Sequence, residues 1–371
     1  MATESISVPW WRTDLGDAEI EAVSRAIRDR HVHHGPLCGD LEAAPAARIV
    51  LPHVVSTTSG SKGLVLAMLA CGVGPGTAVV VPALTFIAPA HAALLLGARV
   101  RLVDVRADRP LVDTDALAAV VGERTRAIVV VHLNGRAADV GATREVAARV
   151  DARVIEDCAQ ALCSHGTRGC LGGEGDLATF SLGITKLVTA GEGGFVATRD
   201  AQLGERLRRL RNHGTVSIAH NVFPEIGGNF RLADLQAAVA LAQLERVDAK
   251  IAGVRRVYAA YRAGLRGLPW IDLVDVHVER GELPLWTEAR AQRRDEVVTA
   301  LRDHGIEAKP FHPCLAASPH LGDAGDFPRA TSWAATGVTL PSGPDQPDAH
   351  IERTLRALAT VGQALGLAGG S

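Results

Sequence analysis

Downstream of Gly35-Pro36 the chain alternates short apolar runs with helical patterns. Residues 79–81, 100–103, 127–131 and 154–155 are apolar runs of strand length, and 64–70, 88–96, 114–121 and 142–150 read as the intervening helices. Strands without a polar face, each followed by a helix, predict an α/β fold with a mostly parallel sheet covered on both sides. Residues 179–182 and 194–197 add two strands, joined by the loop that carries Lys186. Upstream, 14–30 opens with a polar cap and places Ile20, Val23 and Ile27 on one helical face.

The pattern over 232–265 reads as one long helix bridging to a second domain. There, strands at 285–287 and 306–311, a helix at 293–303 and a terminal helix at 350–365 make a small α+β lobe. The expected division is 1–248 for the N-terminal segment and large domain, and 249–371 for the small domain. Neither an internal repeat nor a low-complexity linker is visible.

Residues 63–98 contain no Asp, Glu, Lys or Arg, a span long enough to cross a membrane. Gly72-Val73-Gly74-Pro75-Gly76, Pro82 and Pro89 cut it into buried helix, turn, strand, loop and helix. The membrane reading is rejected. With 47% hydrophobic and 22% charged residues the chain is globular, and a net charge of −2 leaves no footprint for nucleic acid.

The six cysteines form no Cys-x-x-Cys pair, and the 14 histidines show no metal-ligand spacing, so no metal is expected. His31, His33 and His34 read as a solvated turn. Scattered thiols and an N-terminus (2–7) without a signal pattern suit a cytoplasmic protein.

Lysine supplies only four of the 39 cationic side chains, Lys62, Lys186, Lys250 and Lys309, and arginine the other 35. A Schiff base needs an amine, which arginine cannot provide, so lysine chemistry has four candidate positions. Lys186 lies between apolar strands with three glycines close behind, where desolvation would lower its pKa and free a nucleophile. Lys250 reads as a surface residue of a solvated helix. Lys62 borders a Ser-Gly-Ser turn and could touch a phosphate, though its helix-start position fits a surface residue equally.

Two further features belong at strand ends, where ligands of α/β sheets gather. Thr57-Thr58-Ser59-Gly60-Ser61 precedes the helix at 64, so Gly60 and Ser61 could cradle an anion; it is also the pattern of an ordinary Ser cap. Glu156-Asp157 ends a buried run, where Asp157 could hold a protonated ring nitrogen or simply cap a helix. An anion cradle, a strand-end Asp and a buried Lys are together the parts that pyridoxal phosphate requires.

At this point the chain resembles the sugar aminotransferase family of fold-type I pyridoxal-phosphate enzymes, the DegT/DnrJ/StrS group. The motifs are Ser59-Gly60-Ser61, Pro82-Ala83-Leu84-Thr85-Phe86, His132-Leu133-Asn134-Gly135, Glu156-Asp157-Cys158-Ala159-Gln160, Thr185-Lys186 with Gly191-Glu192-Gly193-Gly194, Arg211-Asn212-His213-Gly214 and Asn229-Phe230-Arg231. The resemblance implies Lys186 as the Schiff-base lysine and proton shuttle, and Asp157 as partner of the pyridine nitrogen. It implies Phe86 stacked on the ring, Gln160 beside it, and Gly60, Ser61 and Ser181 on the phosphate. Asn229 would be donated across a homodimer, and Arg231, Lys309 and His312 would contact substrate.

The implied reaction moves an amino group from glutamate or glutamine to a nucleotide-linked keto-deoxysugar, as in antibiotic or cell-surface glycan biosynthesis. A keto-cyclitol acceptor, or a regulatory protein that keeps the cofactor without turnover, are the alternatives. Family dehydratases carry histidine at the lysine position, so Lys186 itself argues for transamination. Three departures fall where substrate would lie: Leu182-Gly183-Ile184 before the lysine, Asn134 where a Tyr is usual, and Ser61-Lys62-Gly63-Leu64 after the turn.

Overall fold

The apolar runs become strands of a seven-stranded sheet, all of them inner except the one at 100–103, which forms an edge with Arg101 exposed. The computed structural model describes residues 7–220, 222–322 and 325–367, so all but Ser7 of the stretch read for a signal lies outside it. In chain order the large domain contains α1 (Asp17–Arg28), α2 (Pro36–Ile49), β1 (His53–Thr57), α3 (Gly60–Ala70), β2 (Ala78–Pro82) and α4 (Ala88–Leu95). Next come β3 (Arg99–Val103), α5 (Thr114–Val120), β4 (Thr125–Val131), α6 (Val140–Ala148) and β5 (Arg153–Asp157). A short ribbon, β6 (His165–Gly166) with β7 (Gly169–Cys170), precedes β8 (Leu177–Ser181), β9 (Gly194–Thr198) and α7 (Ala201–Arg211).

The sheet order is β1-β9-β8-β5-β4-β2-β3, and β9 alone runs against the others. The carboxyl ends of β1, β4, β5 and β8 therefore point the same way, which collects Thr57, Val131, Asp157 and Ser181 at one edge. Helix α3 buries Leu64, Leu66, Ala67 and Met68 on the sheet, and it is apolar on nearly every side. A helix of that kind belongs inside a protein, which accounts for the charge-free stretch without a membrane. Among the described residues no helix is long and apolar enough to span one.

The pattern read as one long helix is two, α8 (Asp234–Glu245) and α9 (Val247–Gly264). Arg246 leaves helical geometry between them at φ −103, and its guanidinium pairs with Asp14 and Glu19. The small domain is an antiparallel sheet of β10 (Ile271–Leu273), β11 (Thr287–Ala291), β12 (Lys309–Pro310) and β13 (Gly337–Leu340), ordered β10-β11-β13-β12. It is packed by α10 (Arg294–Asp303), α11 (Pro328–Thr336) and α12 (Asp348–Ala364).

Two expected strands differ in extent. The strand read at 285–287 begins at Thr287, because the Trp286 peptide is held by the Asn134 side chain. The one read at 306–311 shrinks to Lys309–Pro310, since Ile306 instead bridges to Val8 of the N-terminal segment.

One apolar face turns outward, and one surface reading is corrected. In α1, Glu19 and Ala26 face inward while Ile20 and Ile27 are exposed, because Glu19 is drawn toward Gln243 and Arg246 of the α8 end. Lys250 is not a solvated residue: its side chain is 2% exposed, with Nζ 2.8 Å from Asp14 Oδ2.

Candidate active site

The edge that collects the strand ends opens into a cavity of about 470 Å³, and the residues around it come from eight separate stretches of chain. Its floor is the β1–α3 turn. Ser59 takes extended geometry, and its Oγ accepts from Lys62 N–H at 3.2 Å. None of the residues in the first turn of α3 is acidic. Such a terminus attracts anions. Gly60 packs on the tip of β8 so closely that a Cβ there would stand 2.8 Å from Ser181 Cβ. Ser59, Gly60, Ser61 and Ser181 thus line one corner of the cavity, the corner that fits a phosphate.

Asp157 ends β5 and is buried, with Oδ1 accepting from Ala159 N–H at 3.0 Å. Burial pushes its carboxyl above the ordinary range, and the Lys186 charge works the other way. Oδ2 takes no hydrogen bond among the described residues, which leaves an acceptor for a ring N–H at the cavity wall.

Lys186 sits on a loop anchored by its apolar neighbours. Leu187 and Val188 are buried, Lys186 N–H donates to Gly183 at 3.0 Å, and Ala190 N–H donates to Leu182 at 2.8 Å. Gly191 at φ 77 and Gly193 at φ 154 let the chain turn back into β9, geometry that side chains resist. The N-terminal segment holds the same loop from outside, since Trp11 Nε1 and Thr13 Oγ1 both donate to the Ile184 carbonyl. Burial lowers the Lys186 ammonium to about 8, and Asp157 opposes that shift.

An aromatic wall stands opposite. The Trp286 ring centroid is 5.1 Å from Lys186 Nζ. His312 packs edge-on to both Trp286 and Phe86, with centroids 6.4 and 5.8 Å apart. Burial together with the Lys186 charge pushes His312 down to about 4, so it is neutral at physiological pH. Trp10 leans on Trp286 at 6.0 Å, and Lys309 Nζ lies 4.0 Å from the Trp10 ring centroid. Phe86 is 53% exposed, an apolar ring offered to a ligand rather than to the core.

Of the residues expected at the site, Gly60, Ser61, Phe86, Asp157, Gln160, Ser181, Lys186, Lys309 and His312 line this cavity. Asn229 and Arg231 do not. Asn229 is exposed and bridges to Asn212, while Arg231 donates to the Asn212 side chain in a separate groove with Arg208, Arg209 and Arg211. Lys62 is also outside the cavity, with Nζ 5.7 Å from the Phe230 centroid. Trp10, Thr85, Glu192 and Trp286 line it without having been expected to. A Pro-Trp-Trp sequence in an otherwise polar N-terminal stretch was the one available signal for Trp10.

Beneath the site, His132, Glu156 and Cys158 come together in the core. Glu156 accepts from His132 Nε2 at 2.8 Å and from the N–H groups of Gly172 and Glu174 at 2.9 and 2.8 Å. His132 Nδ1 accepts from Ala138 N–H at 3.2 Å. With those lone pairs occupied, the group is a tether between β4, β5 and the loop before β8.

Residues 13–359 match the DegT/DnrJ/EryC1/StrS aminotransferase family. GDP-perosamine synthase of Caulobacter vibrioides is 36% identical over 330 residues, covering 87% of this chain and 89% of that protein. The dTDP-3-amino-3,4,6-trideoxy-alpha-D-glucose transaminase of Streptomyces venezuelae is 36% identical over 354 residues, covering 92% and 90%. The crystal structure of S. venezuelae DesV superposes with a TM-score of 0.88 at 32% identity, over 95% of this chain and 98% of that one. The sugar aminotransferase CalS13 of Micromonospora echinospora gives 0.88 at 30% identity, over 95% and 99%. Relatives and structures so alike along almost the whole length place the chain in the DegT/DnrJ/EryC1/StrS family, as a pyridoxal-phosphate-dependent aminotransferase.

Proposed function

We propose that this aminotransferase moves the amino group of glutamate or glutamine onto the ketone of a nucleotide-linked deoxysugar. The observation that carries the reading is one cavity holding Lys186, Asp157 and the start of α3, with an aromatic wall and Lys309 at its rim. Both curated relatives named above act on nucleotide-linked sugars by their names.

The residues divide the work. Gly60, Ser61 and Ser181 would seat the phosphate of pyridoxal phosphate, and Asp157 would hold its ring N–H. When bound, the cofactor supplies an electron sink for the carbanion left by proton removal. Lys186 moves that proton, taking it from the carbon that bears the amine and returning it to the carbon that receives one. Its pKa near 8 leaves part of the amine neutral at pH 7, which is what a base in this position needs. Neutral His312 adds no second cation beside it.

Lys309 is 45% exposed and can meet an anionic group such as the acceptor's diphosphate. Asn229 is exposed and does not line the cavity of its own chain, which supports its donation to a partner's phosphate in a homodimer. Val216, Val222, Phe223 and Ile226, exposed on the segment leading to Asn229, give such a dimer an apolar contact. Six free cysteines suit work in the cytoplasm, and an amino sugar would enter antibiotic or surface-glycan synthesis.

Purified holoenzyme, charged with glutamate or glutamine, should aminate members of a panel of nucleotide-linked ketosugars. Amination of free keto-cyclitols alone would overturn the sugar assignment in favour of a cyclitol acceptor.

A further inference from the structure

Asn134 stands where the related motif carries a tyrosine, and it is engaged on every side. It is fully buried in the left-handed region, at φ 53 and ψ 39, a conformation that asparagine tolerates better than most residues. Its Oδ1 accepts from Trp286 N–H at 2.7 Å, and its Nδ2 donates to the Trp286 carbonyl at 2.8 Å. One side-chain amide therefore occupies both peptide groups of Trp286, as a neighbouring strand would, immediately before β11 begins. Nδ2 also donates to Glu288 Oε2 at 2.9 Å, which in turn receives Arg136 Nη1 at 2.6 Å. The Asn134 N–H donates to Gln160 Oε1 at 2.7 Å, which fixes the Gln160 amide and leaves its NH2 end as the donor.

The other end of Trp286 has no such anchor. Its buried indole N–H has no partner among the described residues. The ring is placed by packing on Trp10 and His312 and by the main chain that Asn134 grips. That ring lines the cavity with its centroid 5.1 Å from Lys186 Nζ.

We propose that Asn134 is a positioning residue that sets the acceptor side of the pocket by clamping the Trp286 peptide. The idea rests on the reading of this cavity, with Lys186, as the active site. A phenol has a single hydroxyl and cannot bracket a peptide from both sides. With tyrosine at this position the Trp286 backbone would need other partners, and the wall would stand elsewhere. Asn134 thus acts on specificity through Trp286 and never touches the reacting atoms.

The test is a set of holoenzyme variants: Asn134→Gly, which accepts the left-handed backbone, Trp286→Phe, and the two combined. Asn134→Gly should raise KM for the keto acceptor on the order of tenfold or more while leaving the yellow lysine-bound cofactor band in place. Acrylamide should quench its tryptophan fluorescence more than that of the wild type, and this increase should vanish in the Trp286→Phe background. The double variant should have a KM no worse than the worse single one, because both act through one group. Unchanged quenching and KM in Asn134→Gly, or penalties that multiply in the double variant, would overturn the clamp.

Should Asn134→Gly not fold, Asn134→Asp keeps the acceptor for Trp286 N–H and loses both donors. It should raise the acceptor KM and the quenching, and wild-type values for both would overturn the proposal. A wild-type cofactor band in Lys186→Ala would instead refute the reading of the site, since the clamp is judged by quenching and by the Trp286 background.

Discussion

Lys186 and Asp157 titrate against each other across one cavity. Burial pushes the lysine down to about 8 and the aspartate up, and the opposite charge of each restrains the other's shift. The consequence for stability has a definite sign. Between pH 8 and the ordinary lysine value of 10.5, the unfolded chain binds a proton that the folded chain has released. Stability therefore rises with pH across that window, and below it the full burial penalty is present.

Lys186→Met should accordingly stabilise the cofactor-free chain at pH 7, by up to about 3 kcal/mol, and abolish transamination. The gain should shrink toward zero as pH approaches 10.5. Denaturant unfolding of the two proteins at pH 7, 9 and 10.5 checks this. A Lys186→Met protein less stable than wild type at pH 7 would show that the ammonium is well solvated.

Asp157→Asn keeps the size of the side chain and removes its charge. The cofactor should still bind through the α3 turn, yet turnover should drop on the order of 10²-fold or more, because the electron sink loses its ionic partner. Cofactor absorbance and kcat measured on the same preparation separate the two effects.

Gly60→Ala tests the anion corner. A methyl 2.8 Å from Ser181 Cβ cannot be accommodated without moving the α3 turn or the β8 tip. Cofactor affinity should weaken by about tenfold or more, read by titrating pyridoxal phosphate into the apoenzyme. Unaltered affinity would place the phosphate elsewhere.

Lys309→Ala should raise KM for the acceptor and leave the glutamate half-reaction alone, since only the acceptor is expected to carry a diphosphate. Loss of a charge-assisted contact at a partly exposed position corresponds to roughly a tenfold change. The two half-reactions can be followed separately by the loss and return of the cofactor band.

The parallel sheet and the strand-tip residues were legible because their signals are local. An apolar run at 154–155 followed by Glu156-Asp157, or Lys186 followed by glycines, carries its meaning within a few residues. What was not legible depends on distant partners. Trp286 becomes a pocket wall because Asn134, 152 residues earlier, holds its peptide. The α8–α9 break follows from Arg246 reaching back to Asp14 and Glu19, and α1 turns Ile20 outward because Glu19 meets the same arginine. Asn229 could be recognised by its motif, but its own chain brings it to no cavity wall.

Lys250 shows the same limit and gives the last prediction. Its helical neighbourhood looks polar in sequence, yet Nζ is buried against Asp14 Oδ2 at 2.8 Å and the Asp14 carbonyl at 3.3 Å, 236 residues away. Burial lowers its pKa, and the Asp14 contacts oppose that. Lys250→Ala removes a buried charge whose partner keeps only Arg246, and it also leaves a gap beside Asp14. The cost should be about 2–4 kcal/mol in denaturant unfolding, with kcat per folded molecule unchanged because the pair is outside the cavity. Lys250→Met refills the space and should recover part of that loss. A cost below about 0.5 kcal/mol for Lys250→Ala is what an exposed ion pair would give, and it would mean that Arg246 alone suffices to hold the Asp14 carboxylate.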